Sequence, residues 1–143
     1  MKVKLLDSRA KAPTVEHPGS DLGYDLYAIE DFHLQVGIPA KIRTGIAIEF
    51  NPFWGGVIKD RSSMAAKGIT VSGGVIDSGY RGEIMVILTL NYKENKCYSS
   101  FIYPGDKIAQ LILHPANTIY PFEVVEELNE SERGEKGFGS TGR

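Results

Sequence analysis

The chain has 143 residues, a length typical of a single domain with its own hydrophobic core. Its formal net charge of −2 argues against sequence-independent nucleic-acid binding, which usually requires a basic surplus. No apolar run approaches the ~18 residues of a membrane-spanning helix, and the first residues lack the apolar core of a signal peptide, so we expect no membrane association.

Cys97 is the only cysteine, which excludes a disulfide within the chain and favours a reducing, cytoplasmic location, with the nucleus as an alternative in a eukaryotic or viral setting. His17, His33 and His114 lack the spacing of metal ligands, so a zinc site is not expected. The 16 glycines and 7 prolines are scattered throughout and divide the chain into many short segments. Many short segments separated by turn-forming residues predict an all-β protein.

The first half of the chain reads as strands separated by turns and one irregular loop, over residues 7–22. The clearest strand has a period of two from Ile42 to Phe50, with Gly45 as a candidate bulge. The other strands expected here are 2–6, 24–28, 32–36 and 54–59.

Residues 61–68 form the only convincing helical pattern, with serine available as a cap, alanines in the interior and Gly68 at the end. Arg61, Ser62 and Ser63 at its start offer a guanidinium and two hydroxyls, which suit an anion such as phosphate. The alternative is simple helix capping, which these residues alone favour. Neither a Walker-type loop nor a Rossmann glycine pattern is present.

Residues 73–83 combine glycines with Ser78 and predict a tight hairpin. Residues 84–88 follow as a strand expected to be buried on both faces, because no polar residue alternates within it. Asp77 and Tyr80 therefore lie at a turn beside a buried strand. Asp77 is either a turn residue that bonds its own backbone or a general base on a rigid support.

Further strands are expected over 97–103, 107–113 and 122–125, with a polar hairpin loop at 91–96. From residue 127 onward, charges and glycines dominate, and this composition predicts a mobile arm. The arm is either a solvated tail or a phosphate-binding element. The second interpretation rests on freely turning glycines, an arginine, two hydroxyls and one aromatic ring within residues 133–142.

The sequence resembles the homotrimeric dUTP pyrophosphatase (dUTPase) family along nearly its whole length, through five motifs in the expected order. In this chain they are 23–28 (GYDLYA), 61–65 (RSSMA), 74–82 (GVIDSGYRG), 105–111 (GDKIAQL) and 133–142 (RGEKGFGSTG). One motif would be weak support, whereas five at compatible spacings are specific.

The resemblance implies a jelly-roll-like distorted β-barrel with one short helix over residues 1–126. It also implies a flexible glycine-rich arm over 127–143 that closes over an active site. The expected assembly is a homotrimer with three active sites, each built from all three chains. The expected reaction is hydrolysis of dUTP to dUMP and pyrophosphate, which limits uracil incorporation into DNA and supplies dUMP for dTTP synthesis.

By the same resemblance, Asp77 activates the water that attacks the α-phosphorus. Tyr80 packs on the deoxyribose and excludes a 2′-hydroxyl, and the backbone around Gly74 and Ile76 reads the uracil edge. Such fixed peptide groups can distinguish uracil from cytosine.

The remaining roles implied by the resemblance concern the triphosphate. Ser62, Ser63 and Gln110 bind the α- and β-phosphates, and Arg61 contributes charge or a subunit contact. Asp25 supports Mg²⁺ from the second coordination shell, the ion being carried mainly by the triphosphate. In the arm, Arg133, Ser140 and Thr141 are expected to grip the γ-phosphate and Phe138 to stack on uracil. Gly139 is expected to be a further substrate-binding residue.

One position departs from the family pattern: Asp60 stands where glycine or proline is more frequent. It either pairs with Lys59 or Arg61, or points outward, and we expect the second. The competing functions are a dCTP deaminase, a bifunctional enzyme of that kind, and a catalytically silent dUTPase-like module. The glycine-rich arm argues against the deaminase, and intact Asp77 and Gln110 argue against the silent module.

Overall fold

The computed structural model describes residues 1–91, 99–132 and 134. This part of the chain is almost entirely β-structure with one short helix, which confirms the predicted class. In chain order the elements are β1 (Lys2–Leu5), β2 (Gly23–Tyr27), β3 (Phe32–Gln35), β4 (Ala40–Arg43), β5 (Ile46–Glu49), β6 (Trp54–Lys59), α1 (Ser62–Ala66), β7 (Ile69–Val71), β8 (Val75–Ile76), β9 (Met85–Leu90), β10 (Ser99–Ile102) and β11 (Lys107–Pro115).

The strands pair antiparallel in small sheets that form the jelly-roll-like barrel. The largest sheet has the order β2–β11–β6–β8, and a second has the order β4–β9–β7, while β1 pairs with β5 and β10 with β3. Alternate side chains of these strands point inward and form one core, whose most deeply buried members include Leu34, Ile42, Ile58, Val86 and Ile108. The sheets therefore provide a rigid frame for the loops and strand ends that carry the polar residues.

The strand predicted from Ile42 to Phe50 is in fact two strands, β4 and β5, which pair with different partners, β9 and β1. The chain changes sheet at Gly45, whose φ of 67° is in the left-handed region that favours glycine. The buried Thr44 hydroxyl donates to the Ile84 carbonyl, and the Gly45 amide donates to the Glu83 carboxylate (2.8 Å). The period of two continues across this bend, so hydrophobic patterning alone does not reveal it.

Replacing Gly45 by alanine is expected to destabilise the fold by about 2–4 kcal/mol. The new Cβ would lie 2.8 Å from the Ala10 Cβ and 3.1 Å from the Ile29 Cδ1, on a left-handed backbone. Gly37→Ala is the matched control, since Gly37 is also left-handed (φ 74°) but has open space at its Cβ position, which limits its loss to about 1–2 kcal/mol. Urea denaturation measures both, and equal losses would contradict the packing argument.

The predicted hairpin over 73–83 is wrong in its pairing. A tight turn is present, because the Tyr80 amide donates to the Asp77 carbonyl (3.0 Å). However, β8 before the turn pairs with β6, and β9 after it pairs with β4 and β7. Gly74 directs the chain toward β6, since its carbonyl accepts from the Ile58 amide (2.7 Å) and its φ is 114°.

Strand β9 is buried on one face and not on both as predicted. Val86, Leu88 and Leu90 are buried, whereas Met85 is 39% exposed and Ile87 is half-buried. Apolar residues on the outer face leave a surface that the described chain does not cover.

The start of α1 and residues 122–125 also differ from the predictions. The N-cap residue of α1 is Arg61 and makes no side-chain capping bond, so neither serine has the predicted capping role, although Gly68 does terminate the helical turn. Residues 122–125 do not form the predicted strand, because no strand of the described chain pairs with them, and Phe122 and Val124 are almost fully exposed.

Within the described residues, no helix has the length and apolar character to cross a membrane.

Candidate active site

A polar cleft of about 540 Å³ opens where β2, β11 and the start of α1 meet the loop before β2. We call it the polar cleft. It brings together four of the predicted site residues: Asp25, Arg61, Ser62 and Gln110. Its other lining residues are Val15, Glu16, Ser20, Asp21, Leu22, Gly23 and Lys107.

Asp25 organises the cationic wall of the polar cleft. One of its carboxylate oxygens accepts from Arg61 Nε and the other from Lys107 Nζ, each at 2.8 Å. The hydrogen bond that Lys107 donates to Asp25 raises the pKa of Lys107, so this ammonium stays charged at neutral pH. Asp25 therefore holds two cations in fixed positions facing the cleft, an arrangement suited to a polyanion.

Lys107 is a site residue that sequence reasoning missed. In a regular strand, residues 107 and 110 would point to opposite faces. A β-bulge between Lys107 and Ala109 shifts the register, so that Lys107 lies opposite Tyr27 and Gln110 opposite Asp25, on the same face. The irregularity has no sequence signal apart from the turn that precedes it.

Gln110 is fixed at the base of the polar cleft. Its Nε2 donates to the Asp60 carbonyl (2.8 Å), and its Oε1 lies 2.7 Å from where a Cβ on Gly23 would be. The side chain thus packs against the Gly23 backbone. The Asp60 carboxylate accepts from the Val71 amide, so it neither pairs with Arg61 nor points outward as expected.

Ser63 occupies a different position from Ser62. Ser62 lines the polar cleft, whereas the Ser63 hydroxyl accepts from Arg61 Nη1 (3.3 Å) and lines an adjoining hollow beside Met64 and Lys67. Ser63 therefore affects the polar cleft only indirectly, by orienting the Arg61 side chain.

The second group of predicted site residues lies at the turn between β8 and β9. The Asp77 carboxylate is exposed, and the Arg81 guanidinium donates to the Ser78 and Tyr80 carbonyls, which fixes the turn. Tyr80 Oη donates to the Glu83 carbonyl (3.0 Å). A hollow of about 270 Å³, which we call the turn hollow, lies below; its lining is Lys41, Ile76, Tyr80, Glu83, Met85 and Ile87.

The polar cleft and the Asp77 turn lie at opposite ends of β6. Ile76 pairs with Gly56 near the start of the strand, while Gln110 pairs with Lys59 at its end. Asp77 therefore lies beside Gly55, and the interval from Gly55 to Lys59 corresponds to ~13 Å at ~3.3 Å per residue. The structure does not bring the two predicted halves of the site together within one chain.

Among the described residues, no group of three or more His, Cys, Asp or Glu side chains is arranged to hold a metal ion. Each carboxylate oxygen of Asp25 already accepts one hydrogen bond from a cation. The outer-sphere role expected for Asp25 stays a prediction. The predicted arm residues Arg133, Phe138, Gly139, Ser140 and Thr141 lie outside the described residues.

Comparison with known proteins assigns a family. The family model described as dUTPase matches residues 8–142. The chain is 44% identical over 136 residues to the deoxyuridine 5′-triphosphate nucleotidohydrolase of Monkeypox virus, which covers 94% of this chain and 85% of the viral protein. A Staphylococcus bacteriophage 80alpha dUTPase with dUPNHPP superposes with a TM-score of 0.89 at 30% identity, covering 99% of this chain and 98% of that one.

A mutant dUTPase from phage phi11 of S. aureus has a TM-score of 0.79 at 26% identity and covers 90% of this chain and 98% of its own. That structure describes coordination of a structural Mg(II) ion in the phage protein.

Proposed function

The chain belongs to the dUTPase family and hydrolyses dUTP to dUMP and pyrophosphate, and we propose that it does so in a homotrimer whose active sites are each built from all three copies. Each complete site combines the polar cleft of one copy with the Asp77 turn of another and the arm of a third. An intracellular, cytoplasmic location fits the substrate, a deoxynucleoside triphosphate.

The observation that supports this assembly is the separation of the two residue groups along β6. A general base must lie within hydrogen-bond reach of its water, which in turn lies close to the phosphorus under attack. Residues that grip that phosphate at the far end of β6 in the same chain are too distant for this. A second copy, which places its own Asp77 turn beside this polar cleft, resolves the mismatch.

In the proposed reaction, Asp77 accepts a proton from water as the water oxygen attacks the α-phosphorus. The bond from the α-phosphorus to the bridging oxygen breaks, and pyrophosphate leaves with the electron pair. Asp77 is suited to this role because the turn that carries it is fixed by the Tyr80 amide and by Arg81.

The polar cleft holds the phosphates in this proposal. Arg61 and Lys107 face the negative oxygens, Gln110 and Ser62 donate hydrogen bonds, and Asp25 keeps the two cations in place. Magnesium bound to the triphosphate supplies additional neutralisation of charge, with Asp25 in outer-sphere contact. These residues position the α-phosphate so that water approaches opposite the leaving oxygen.

The turn hollow takes the deoxyuridine. Tyr80 and Ile76 line this hollow. In this proposal Tyr80 packs on the sugar and excludes a 2′-hydroxyl, and peptide groups around Gly74 and Ile76 face the base. Glycine at position 74 allows the turn to pack closely on β6, since a Cβ there would lie only 2.8 Å from the Ile58 carbonyl oxygen.

A complementation experiment tests the shared site. Asp77→Asn and Arg61→Met are each expected to be nearly inactive as pure proteins. When they are unfolded together at equal concentration and refolded, about one quarter of the sites should combine an intact Asp77 with an intact Arg61. Pyrophosphate release should therefore recover to about one quarter of the wild-type rate.

Two controls make this result decisive. Mixing the folded variants without unfolding should give no recovery at short times, because subunits have not exchanged. The mass of the refolded species should be three times that of one chain. A trimer that contains both variants but shows no activity above their sum would refute the shared site and place Asp77 and Arg61 in the same chain's site.

A further inference from the structure

Asp60 stands at a junction of four elements, and the proposed function gives it no role. It follows the last residue of β6 and precedes Arg61, the N-cap of α1. Its carboxylate accepts a hydrogen bond from β7, and its backbone carbonyl accepts one from β11. Asp60 therefore links a strand outside the polar cleft to a side chain at the base of the cleft.

The carboxylate of Asp60 satisfies a backbone amide at the edge of a sheet. Strand β7 is an edge strand in the order β4–β9–β7. The Ser72 amide donates to the Ile87 carbonyl of β9 (2.9 Å). Successive amides of an extended chain point to opposite sides, so the Val71 amide points away from β9, where the Asp60 carboxylate accepts from it. Hydrogen bonds to an ionised acceptor are roughly twice as strong as neutral ones, so this contact holds the chain between β6 and α1.

The backbone carbonyl of Asp60 determines which way the Gln110 amide faces. A carbonyl oxygen only accepts, so the Gln110 atom that lies 2.8 Å from it must be Nε2. Nε2 carries two hydrogens, of which one bonds Asp60 and the other is available to a ligand in the polar cleft. Oε1 is directed toward the Gly23 backbone, 2.7 Å from where a Cβ on that residue would lie. Gln110 thus presents a donor to the cleft.

Without the Asp60 carbonyl, the two orientations of the Gln110 amide would be similar in energy. The terminal torsion of glutamine is broad and roughly two-fold, so the amide can turn over and exchange the places of Nε2 and Oε1. Oε1 carries partial negative charge and would repel a phosphate oxygen in the polar cleft. An amide that is already fixed avoids this loss and need not be oriented when the ligand binds.

We propose that Asp60 is a positioning residue for Gln110: the bond from Val71 to its carboxylate keeps its carbonyl in place, and the carbonyl orients the phosphate-binding amide. The inference rests on the proposed function, which assigns Gln110 to the phosphates. Glycine or proline, which the family pattern favours at this position, has no side-chain acceptor for the Val71 amide. The anchor is therefore a property of this chain.

Asp60→Ala is expected to lower kcat/KM for dUTP ~10-fold, mainly through a higher KM, because the Gln110 amide loses its fixed orientation. Asp60→Asn should lose only ~2–3-fold, since its neutral oxygen still accepts from the Val71 amide. Gln110→Ala should lose ~30–100-fold, as for a hydrogen bond to a charged group. In a Gln110→Ala background, Asp60→Ala should cost less than ~2-fold, because the group that it positions is absent.

Asp7→Ala is the matched control. Asp7 is half-buried like Asp60, and its carboxylate also accepts a backbone amide, that of Arg9 at 2.9 Å. It lines neither the polar cleft nor the turn hollow, so kcat/KM should stay at the wild-type value even if the free energy of unfolding falls. The nitrogen NMR resonance of the Gln110 side chain gives a direct readout. It should shift in Asp60→Ala and stay in place in Asp7→Ala.

Pyrophosphate release at several dUTP concentrations gives kcat and KM for each variant. The inference is overturned if the losses from Asp60→Ala and Gln110→Ala multiply in the double variant, or if Asp60→Ala loses no more than Asp7→Ala. A loss from Gln110→Ala alone would then still support the phosphate site. If Gln110→Ala keeps the wild-type kcat/KM, its assignment to the phosphates fails and the role of Asp60 fails with it. Should Asp60→Ala not fold, the smaller loss of Asp60→Asn decides: its disappearance in the Gln110→Ala background supports the inference, and its persistence overturns it.

Discussion

Replacing Asp77 by asparagine is expected to lower kcat for dUTP hydrolysis by ~10²–10⁴, the usual contribution of a positioned general base. Asparagine has nearly the same shape but cannot accept the proton of the attacking water. The turn itself should persist, because the bond from the Tyr80 amide goes to the Asp77 backbone carbonyl. Pyrophosphate release in the presence of magnesium measures the loss, and the affinity for a non-hydrolysable dUTP analogue should change little.

Asp31→Asn is the matched control for this substitution. Asp31 is also an exposed aspartate at a chain bend, between β2 and β3, and is not part of either site region. It should retain wild-type kcat. An Asp77→Asn enzyme that keeps more than about one tenth of wild-type kcat would assign the proton transfer to another group.

A chain that ends after residue 132 is expected to lose ~10²–10³ in kcat/KM for dUTP, equivalent to two or more charge-assisted phosphate contacts. The composition of residues 133–142 predicts that they order only on a ligand. Ordering about ten residues costs on the order of 10 kcal/mol, and a single stack of ~1–3 kcal/mol from Phe138 cannot offset this. We therefore expect contacts from Arg133, Ser140 and Thr141 to the γ-phosphate to contribute the remainder.

Because the arm is expected to bind the γ-phosphate, a ligand without that group, dUMP, serves as a control. The truncated chain should bind dUMP as well as the full chain does, and Phe138→Ala in the full chain should cost only about tenfold in kcat/KM. In the full chain, tryptic cleavage after Arg133 or Lys136 should slow with a non-hydrolysable dUTP analogue but not with dUMP. Equal protection by both ligands would mean that the arm does not sense the γ-phosphate.

The sequence was sufficient for most strands, because alternating burial is a local property. The pattern at Trp54–Lys59 predicted β6 with its observed bounds, and Lys107 to Leu113 predicted most of β11. Pairing partners could not be read in this way. The Asp77 turn has the local sequence of a hairpin turn, yet it connects strands of two different sheets. The reason is a long-range contact, because Gly74 bonds Ile58 of β6 and so pairs β8 with that strand.

The site was predictable only in part, for a related reason. Asp25, Arg61 and Gln110 were identified through motifs, and the structure places all three around the polar cleft. Lys107 lies within the motif at 105–111 but was assigned no role, because a β-bulge, which the sequence does not reveal, places it on the same face as Gln110. The exposed residues 122–125 have the apolar pattern of a strand but pair with no strand of the described chain, so the prediction of a strand there was wrong.

The position of the two residue groups at opposite ends of β6 has a genetic consequence. In the proposed ring of three copies, each chain would contribute its Asp77 turn to one site and its polar cleft to another. A copy defective at both ends thus disables two of the three sites of any trimer it enters. With equal expression of defective and intact chains, about one quarter of the sites stay active, where a monomeric enzyme would keep about half. Such an allele would behave as dominant over the intact one.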